Sequence, residues 1–545
     1  MTVAVVIAVL ATLRASTAGP RFYDDDPIAR DPESGDASGA VQSEIPLFYE
    51  YSYNLFVTER RTPSGIRALN LNTIDEVPDS SWFTNRIGTT TVSPEALARG
   101  PNESAKPNPE RWVLLREKSA GTNPGFTARD ANGQTWFLQF DSPHYPGGST
   151  ADVEIATKIF WALGYNQIET FITTFDPRNA VIDPKATFRR PSGARTPFTR
   201  DDMDTILERA ARNADGTYRA SAGRLIDGKV LGHFRYEGTR SDDPNDLVPH
   251  QHRRELRALR VFGAWMNFVD LKAANTLDAL VVRNGRSVIK HFLQDVGSSL
   301  GMANNYGVWE MGWEYFYDGP ATRKRLLSFG FALSPWQTVP YTEYPSVGRI
   351  EGDAFDPRTW KPQTPTTAYT ELRDDDAFWA ARKVMAFDDD LIRAAVHTGE
   401  FPDAAAERHL ADVLVKRRNA IGRTYLPAIN PIVDVRLDDS SRLTFDNAAV
   451  AAGFAAAPTT YRAKWFRFDN ATGETTPIGE TSSSTATIDG PSGLAAAAGT
   501  YIEVDISADA AAHPSWQRPV RSFFRRTAAG WKLVGFERAD AKETR

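Results

Sequence analysis

The sequence predicts an α+β unit followed by a separate all-β domain. Two hairpins marked by Asn-Gly turns, Asn132-Gly133 and Asn284-Gly285, alternate with helices of clear apolar periodicity. After Pro427 the texture changes to short alternating strands with Ser, Thr, Gly and Ala turns, which reads as a sandwich-like β domain over 428–545. A chain of 545 residues is long enough for several cores.

Residues 1–18 read as an export signal. Val3 to Leu13 is apolar and Ser16-Thr17-Ala18 supplies small residues for cleavage, although no Lys or Arg precedes the run. The run is shorter than the roughly 20 residues that cross a bilayer; a short buried helix is the alternative. No later run reaches that length, so the expected protein is exported, periplasmic or extracellular, without a transmembrane segment. Residues 19–45, rich in Asp, Pro, Gly and Ser, predict an extended or disordered leader, and 46–110 an irregular wrap.

Strands are predicted at Trp112–Leu115, Gly125–Asp130 and Thr135–Phe140. A helix follows Gly147-Gly148. Ser149 and Asp152 form its capping pair, Val153, Ala156, Ile159, Phe160 and Leu163 line one face, and Gly164 ends it. Then come a strand at Ile168–Phe175, a helix at Asp201–Ala211 and broken strand material at Tyr218–Phe234. A long helix is expected over His252–Phe268, and strands at Thr276–Val282 and Ser287–Gln294. Residues 302–372, aromatic and Pro-rich, predict a long ordered loop region. Helices close the unit at Asp374–Phe387, Asp389–Thr398 and Asp403–Tyr425.

Composition removes several function classes. A net charge of −6 offers no basic field for nucleic acid. The absence of cysteine excludes disulfides, thiolate nucleophiles and Cys-ligated metals. Gly-x-Ser-x-Gly, His-Glu-x-x-His and Walker motifs are missing. His250 and His252 form a possible metal pair but lack a third ligand nearby, and the acidic runs 24–26 and 374–376 read as solvated charge.

One strip carries chemistry. The long helix ends at Asp270-Leu271-Lys272-Ala273-Ala274-Asn275, and the hairpin after it returns the chain to Asp295-Val296-Gly297. Asp270 and Asn275 alone fit a helix-end cap and a turn better than a catalytic pair; the hairpin and the Asp-x-Gly in that order are what raise the strip above coincidence. Phosphoryl transfer needs a base near the attacking hydroxyl and hard oxygen ligands for a metal that places the nucleotide phosphates.

These motifs and the element order around them resemble the protein-kinase-like superfamily, in particular its atypical bacterial branches such as HipA-like and CotH-like kinases. The resemblance covers roughly residues 110–425. It implies a two-lobed fold, with an N-terminal lobe and its insertion at 111–240 and a C-terminal lobe at 241–427. It also implies a nucleotide such as ATP, Mg²⁺ or Mn²⁺, and an unidentified protein or small-molecule acceptor. Asp270 becomes the acceptor base, Lys272 the neutraliser of charge on the transferred group, and Asn275 and Asp295 the metal ligands. Glu154 is the expected helix Glu. The strand lysine that should hold the phosphates is replaced by Gln139, and Lys118 and Lys158 are the candidates to substitute for it. The Gly-rich turn Gly121 to Gly125 lacks the three-glycine pattern, and Phe268-Val269 stands where the family has His-Arg. Three functions stay open from sequence: an active kinase, a pseudokinase, and a secreted binding module using Trp309, Trp313, Trp336 and the β domain.

Overall fold

The computed structural model describes residues 19–118, 121–302, 310–494 and 497–538; the expected export signal and Trp309 lie outside them. The chain divides into two compact units. The larger comprises Arg30–Asn70 and Val77–Leu426. The smaller takes, among the described residues, 19–29, Leu71–Glu76 and 427–538.

The larger unit opens with helices α1 (Leu47–Phe56) and α2 (Pro94–Arg99). A sheet follows from β1 (Trp112–Glu117), β2 (Gly125–Arg129) and β3 (Thr135–Phe140). After α3 (Gly148–Leu163) come β4 (Thr170–Phe175), β5 (Ala180–Arg189) and β6 (Arg195–Pro197), then α4 (Arg200–Leu207) and β7 (Tyr218–Arg224). The order is β4-β7-β3-β2-β1-β5-β6, antiparallel except for the β1–β5 pair. Alternation turns Trp112, Leu114, Trp136, Leu138 and Phe140 inward against Phe175, Met203 and Leu207. The sequence missed β5 because Pro184 interrupts it. The β1–β5 register jumps from Leu114–Ile182 to Arg116–Thr187, and this bulge accommodates the proline.

A second sheet, in the order β10-β9-β8, combines β8 (Lys229–Gly232), β9 (Thr276–Arg283) and β10 (Arg286–Leu293). Asn284 and Gly285 have positive φ (51° and 73°), as a tight hairpin requires. Helix α5 (Arg254–Met266) precedes this hairpin and stops at Asn267 in the left-handed region. The predicted loop region holds α6 (Gly319–Leu327), α7 (Pro335–Thr338) and α8 (Thr367–Thr370). Then come α9 (Asp374–Met385), α10 (Asp389–His397) and α11 (Ala404–Tyr425). Trp265 joins α5 to α11 and to the turn between α9 and α10: its ring lies 4.9 Å from Phe387, and its Nε1 donates to the Leu414 carbonyl at 3.0 Å.

Two charge assignments change. Asp375 and Asp376 are buried, not solvated. Asp376 accepts from Arg254 Nε at 3.0 Å and from Arg257 Nη1 at 3.1 Å, both arginines being fully buried on α5. The acidic start of α9 is therefore an ionic clamp onto α5. The His pair is structural too. His250 bonds Asp246 at 2.7 Å, and His252 Nδ1 meets Arg257 at 2.6 Å.

The smaller unit contains two antiparallel sheets. One orders β11 (Ile432–Leu437), β12 (Arg442–Asn447) and β15 (Thr487–Asp489) as β11-β12-β15. The other runs β14-β13-β16-β17-β18, from β13 (Thr460–Phe468), β14 (Thr475–Ser483), β16 (Tyr501–Asp509), β17 (Val520–Thr527) and β18 (Gly530–Arg538). The first part of the leader, residues 19–29, is ordered within this unit. The Phe22 ring lies 5.1 Å from Phe523 and 5.9 Å from Phe468. A Cβ on Gly535 would stand 2.5 Å from that ring, so only glycine leaves it room. An extended or disordered leader was expected because its apolar residues are sparse; the Phe22 slot, with the pairing of the Phe22 backbone to the Asn470 side chain and the Arg21–Glu537 ion pair, holds its first part in place.

Candidate functional site

Helix α5 aims the chain into the loop 268–275, and β10 brings it back beside that loop. The Asn275 side chain donates Nδ2–H to the Asp270 carbonyl at 2.9 Å. The Asn275 carbonyl accepts from Gln294 N–H at 2.9 Å and Asp295 N–H at 3.2 Å. One residue thus ties Asp270 to Asp295. With Nδ2 committed to the loop, Asn275 Oδ1 is the end left for a ligand. Lys272 Nζ lies 2.7 Å from Asp270 Oδ2, as a neutralising partner. Asp295 is exposed, while Val296 behind it is buried.

On the strand side, Lys118 and Gln139 meet. Glu117 pairs with Phe126, Lys118 N–H donates to the Gly125 carbonyl at 2.9 Å, and Gly125 pairs with Gln139. Lys118, Gly125 and Gln139 therefore form one row across β1, β2 and β3. The middle position carries no side chain, so Lys118 Nζ reaches across and donates to Gln139 Oε1 at 2.6 Å. Burial lowers the Lys118 pKa, and the Asp295 charge opposes that shift, which places the ammonium within electrostatic reach of Asp295. A Cβ on Gly125 would sit 2.1 Å from the Leu138 carbonyl. Gly125→Ala is expected to separate β2 from β3 locally and to break the Lys118–Gln139 contact, read as a loss of Lys118-dependent ligand binding in a folded protein.

Helix α3 supplies a different acid from the one expected. Glu154 pairs with Lys158 at 3.0 Å, one turn along the same helix, and Lys158 also donates to the Thr170 carbonyl. Neither joins the Asp295 cluster. The acid that does is Asp152, two residues earlier and on the opposite side of the helix. It is fully buried, and its Oδ2 accepts Ser299 N–H at 3.2 Å. Burial, and secondarily the Asp295 charge, push its pKa well above the usual carboxylate range. Asp152 was expected to cap α3, but that task falls to Asp141, which accepts from Thr150 N–H at 2.8 Å and Gly147 N–H at 3.0 Å. Gly297 closes the contact between the strip and α3: a Cβ there would meet Val153 at 2.7 Å.

The donor set suits a hard divalent cation. Asp295 and Asn275 Oδ1 offer oxygen, and Asp152 Oδ1 is buried without a hydrogen-bond partner. A carboxyl oxygen held dry and unpaired beside a second carboxylate is costly unless a cation takes it. Among the described residues no group of three or more His, Cys, Asp or Glu gathers as a closed metal cage. The remaining coordination positions are left to ligand oxygens.

On the other side of Asp270 stand Tyr51 and Tyr236, whose pKa values rise through burial and, to a lesser degree, through the Asp270 charge. Tyr236 lines a pocket of about 340 Å³ together with Tyr49, Glu50, Tyr53, Arg235 and Glu237. Burial pushes the Glu50 carboxyl from 4.5 up to about 7 against the opposing pull of Arg235. Because the folded state holds this proton more tightly than the unfolded chain, stability is greatest below pH 4.5 and declines as pH rises to about 7. The total is at most about 3 kcal/mol. Glu50→Gln is expected to flatten that decline and to stabilise the protein at pH 8, as measured by denaturant unfolding across pH 4.5–8.

No protein-family model and no curated protein matches the chain. Among solved structures, the chain aligns with the crystal structure of the Golgi casein kinase. Identity is 10% and the TM-score 0.29, covering 74% of this chain and 97% of that one. The same kinase with Mn/ADP bound gives 10% identity and a TM-score of 0.29, over 73% and 95%. At that score the likeness bears on neither fold nor function.

Proposed function

We propose that the larger unit is an atypical kinase-like phosphotransferase. The observation that carries this reading is the joining of Asp270 to Asp295 through Asn275, whose side chain bonds the Asp270 carbonyl and whose carbonyl accepts the Asp295 N–H; the Asp295 charge also acts on Asp152 and Lys118. A divalent cation held by Asp295, Asn275 and Asp152 would offset phosphate charge and orient the nucleotide. Lys118, held by Gln139, contacts the phosphates in place of the usual strand lysine. Asp270 accepts the proton of the attacking hydroxyl. Lys272 restrains Asp270 and faces charge developing on the transferred group. The acceptor is a hydroxyl-bearing protein or small molecule. The apolar run Val3–Leu13 with Ser16-Thr17-Ala18 supports export, which N-terminal sequencing of the mature protein from cell fractions tests.

The relocated lysine favours turnover over a pseudokinase. Mn²⁺ with γ-labelled ATP is expected to give transfer to the protein itself or to added acceptor, and a thermal shift. Lys118→Ala is expected to abolish transfer, and Lys118→Ala/Gln139→Lys to restore part of it by returning the charge to β3. Wild type giving neither transfer nor shift would sink the reading. A shift without transfer would assign the site to binding alone.

A further inference from the structure

The chain from α6 to α7 displays apolar residues in a way that a free surface does not tolerate. Leu326, Leu327, Phe329, Phe331 and Leu333 are 58–92% exposed, within eight residues. Burial is the usual fate of such side chains, and a contiguous exposed set marks an interaction surface.

The tip is built, not frayed. Its backbone groups bond to one another: Ser328 N–H to the Lys324 carbonyl, Phe329 to Leu326, Gly330 to Arg325 at 2.8 Å, Phe331 to Ser328, and Ala332 N–H to Ser328 Oγ at 2.9 Å. Phe329 and Gly330 take positive φ (52° and 84°), which turns the chain sharply and leaves both phenyl rings outside. The base is clamped. Arg325 Nη1 bonds Glu314 at 2.8 and 2.9 Å and Ser334 Oγ at 3.1 Å, and Trp336 Nε1 donates to the same Glu314 at 3.0 Å. A loop entering an apolar medium gains from internal pairing of its polar backbone, and the N–H groups from Ser328 to Ala332 are paired within the tip.

The collar of the tip is cationic. Arg323 and Lys324 are exposed and make no ion pair among the described residues. They line an open concavity of about 550 Å³ together with Pro320, Leu327 and Ala332. Cationic groups beside a convex apolar tip match the boundary between anionic headgroups and acyl chains. Among the described residues no helix is long and apolar enough to cross a membrane, so contact of this kind is peripheral.

We propose that the 323–333 tip docks the protein on an anionic lipid surface, the Leu and Phe side chains entering the interface and Arg323 and Lys324 meeting the headgroups. This does not depend on the phosphotransferase reading. The test is sedimentation of the full chain with vesicles of phosphatidylglycerol and phosphatidylcholine, against phosphatidylcholine alone. Binding is expected to the anionic vesicles and to weaken with salt. Phe329→Ser/Phe331→Ser and, separately, Arg323→Glu/Lys324→Glu are each expected to weaken it at least tenfold with unchanged melting temperature, since all four side chains are exposed. Absence of wild-type binding to anionic vesicles, or undiminished binding in both variants, overturns the proposal. So does concentration-dependent self-association that Phe329→Ser/Phe331→Ser removes, which would assign the tip to a second copy of this chain.

Discussion

Asp295→Ala is expected to abolish metal-dependent nucleotide binding and phosphoryl transfer while leaving the fold intact. The carboxylate is exposed and its own protein contact is a local one, Gly297 N–H to Oδ1 at 3.1 Å, so little stability is lost with it. What is lost is a charge that acts on both Asp152 and Lys118. Removing one charge-stabilising group from such a site costs about 10²–10³-fold in rate. The measurements are the Mn²⁺-ATP thermal shift and the transfer rate, with circular dichroism as the fold control. Transfer at the wild-type rate would remove Asp295 from the site.

Asp376→Ala is expected to have the largest effect on stability. The carboxylate takes Arg254 on one oxygen and Arg257 on the other, and its Oδ2 also accepts Arg373 N–H at 3.2 Å. Removing it takes a shared carboxylate from two buried guanidinium groups, of which Arg254 keeps Asp375 at 3.4 Å, and breaking a buried pair of this kind costs about 3–5 kcal/mol. Asp374→Ala, at an exposed neighbour on the same turn, is expected to cost less than about 1 kcal/mol. Denaturant unfolding distinguishes the two. Equal, small losses would show that the clamp between α5 and α9 is replaceable by packing.

What the sequence revealed was whatever local chemistry decides. The hairpin β9–β10 was legible because Asn284-Gly285 sets its own turn and register. Helices α5 and α9 to α11 were legible from periodicity. The order of Asp270, Asn275 and Asp295 could likewise be read off, since it depends only on chain order. The choice between Asp152 and Glu154 was not legible. Two residues apart on a helix means opposite sides, and both acids lie on a helix buried almost all round, so no polar face marks which one looks toward the strip. Lys118 was only one of two candidates because its relation to Gln139 runs sideways through a three-strand register, with Gly125 as the gap between them. The clamp at Asp376 was missed for the same kind of reason: an acidic helix start looks identical whether it faces water or two arginines.

The Phe22 slot has a consequence for biosynthesis. Phe22 is among the first residues of the described chain to leave the ribosome, and Phe523, Val534 and Gly535 are among the last. A contact spanning that separation closes late, because loop closure must wait for the whole intervening chain. The C-terminal β unit therefore cannot complete its core from its own strands alone. An isolated fragment beginning at Pro427 would be made with a vacant aromatic slot, and residues 19–29 supplied as a separate peptide would be its natural plug.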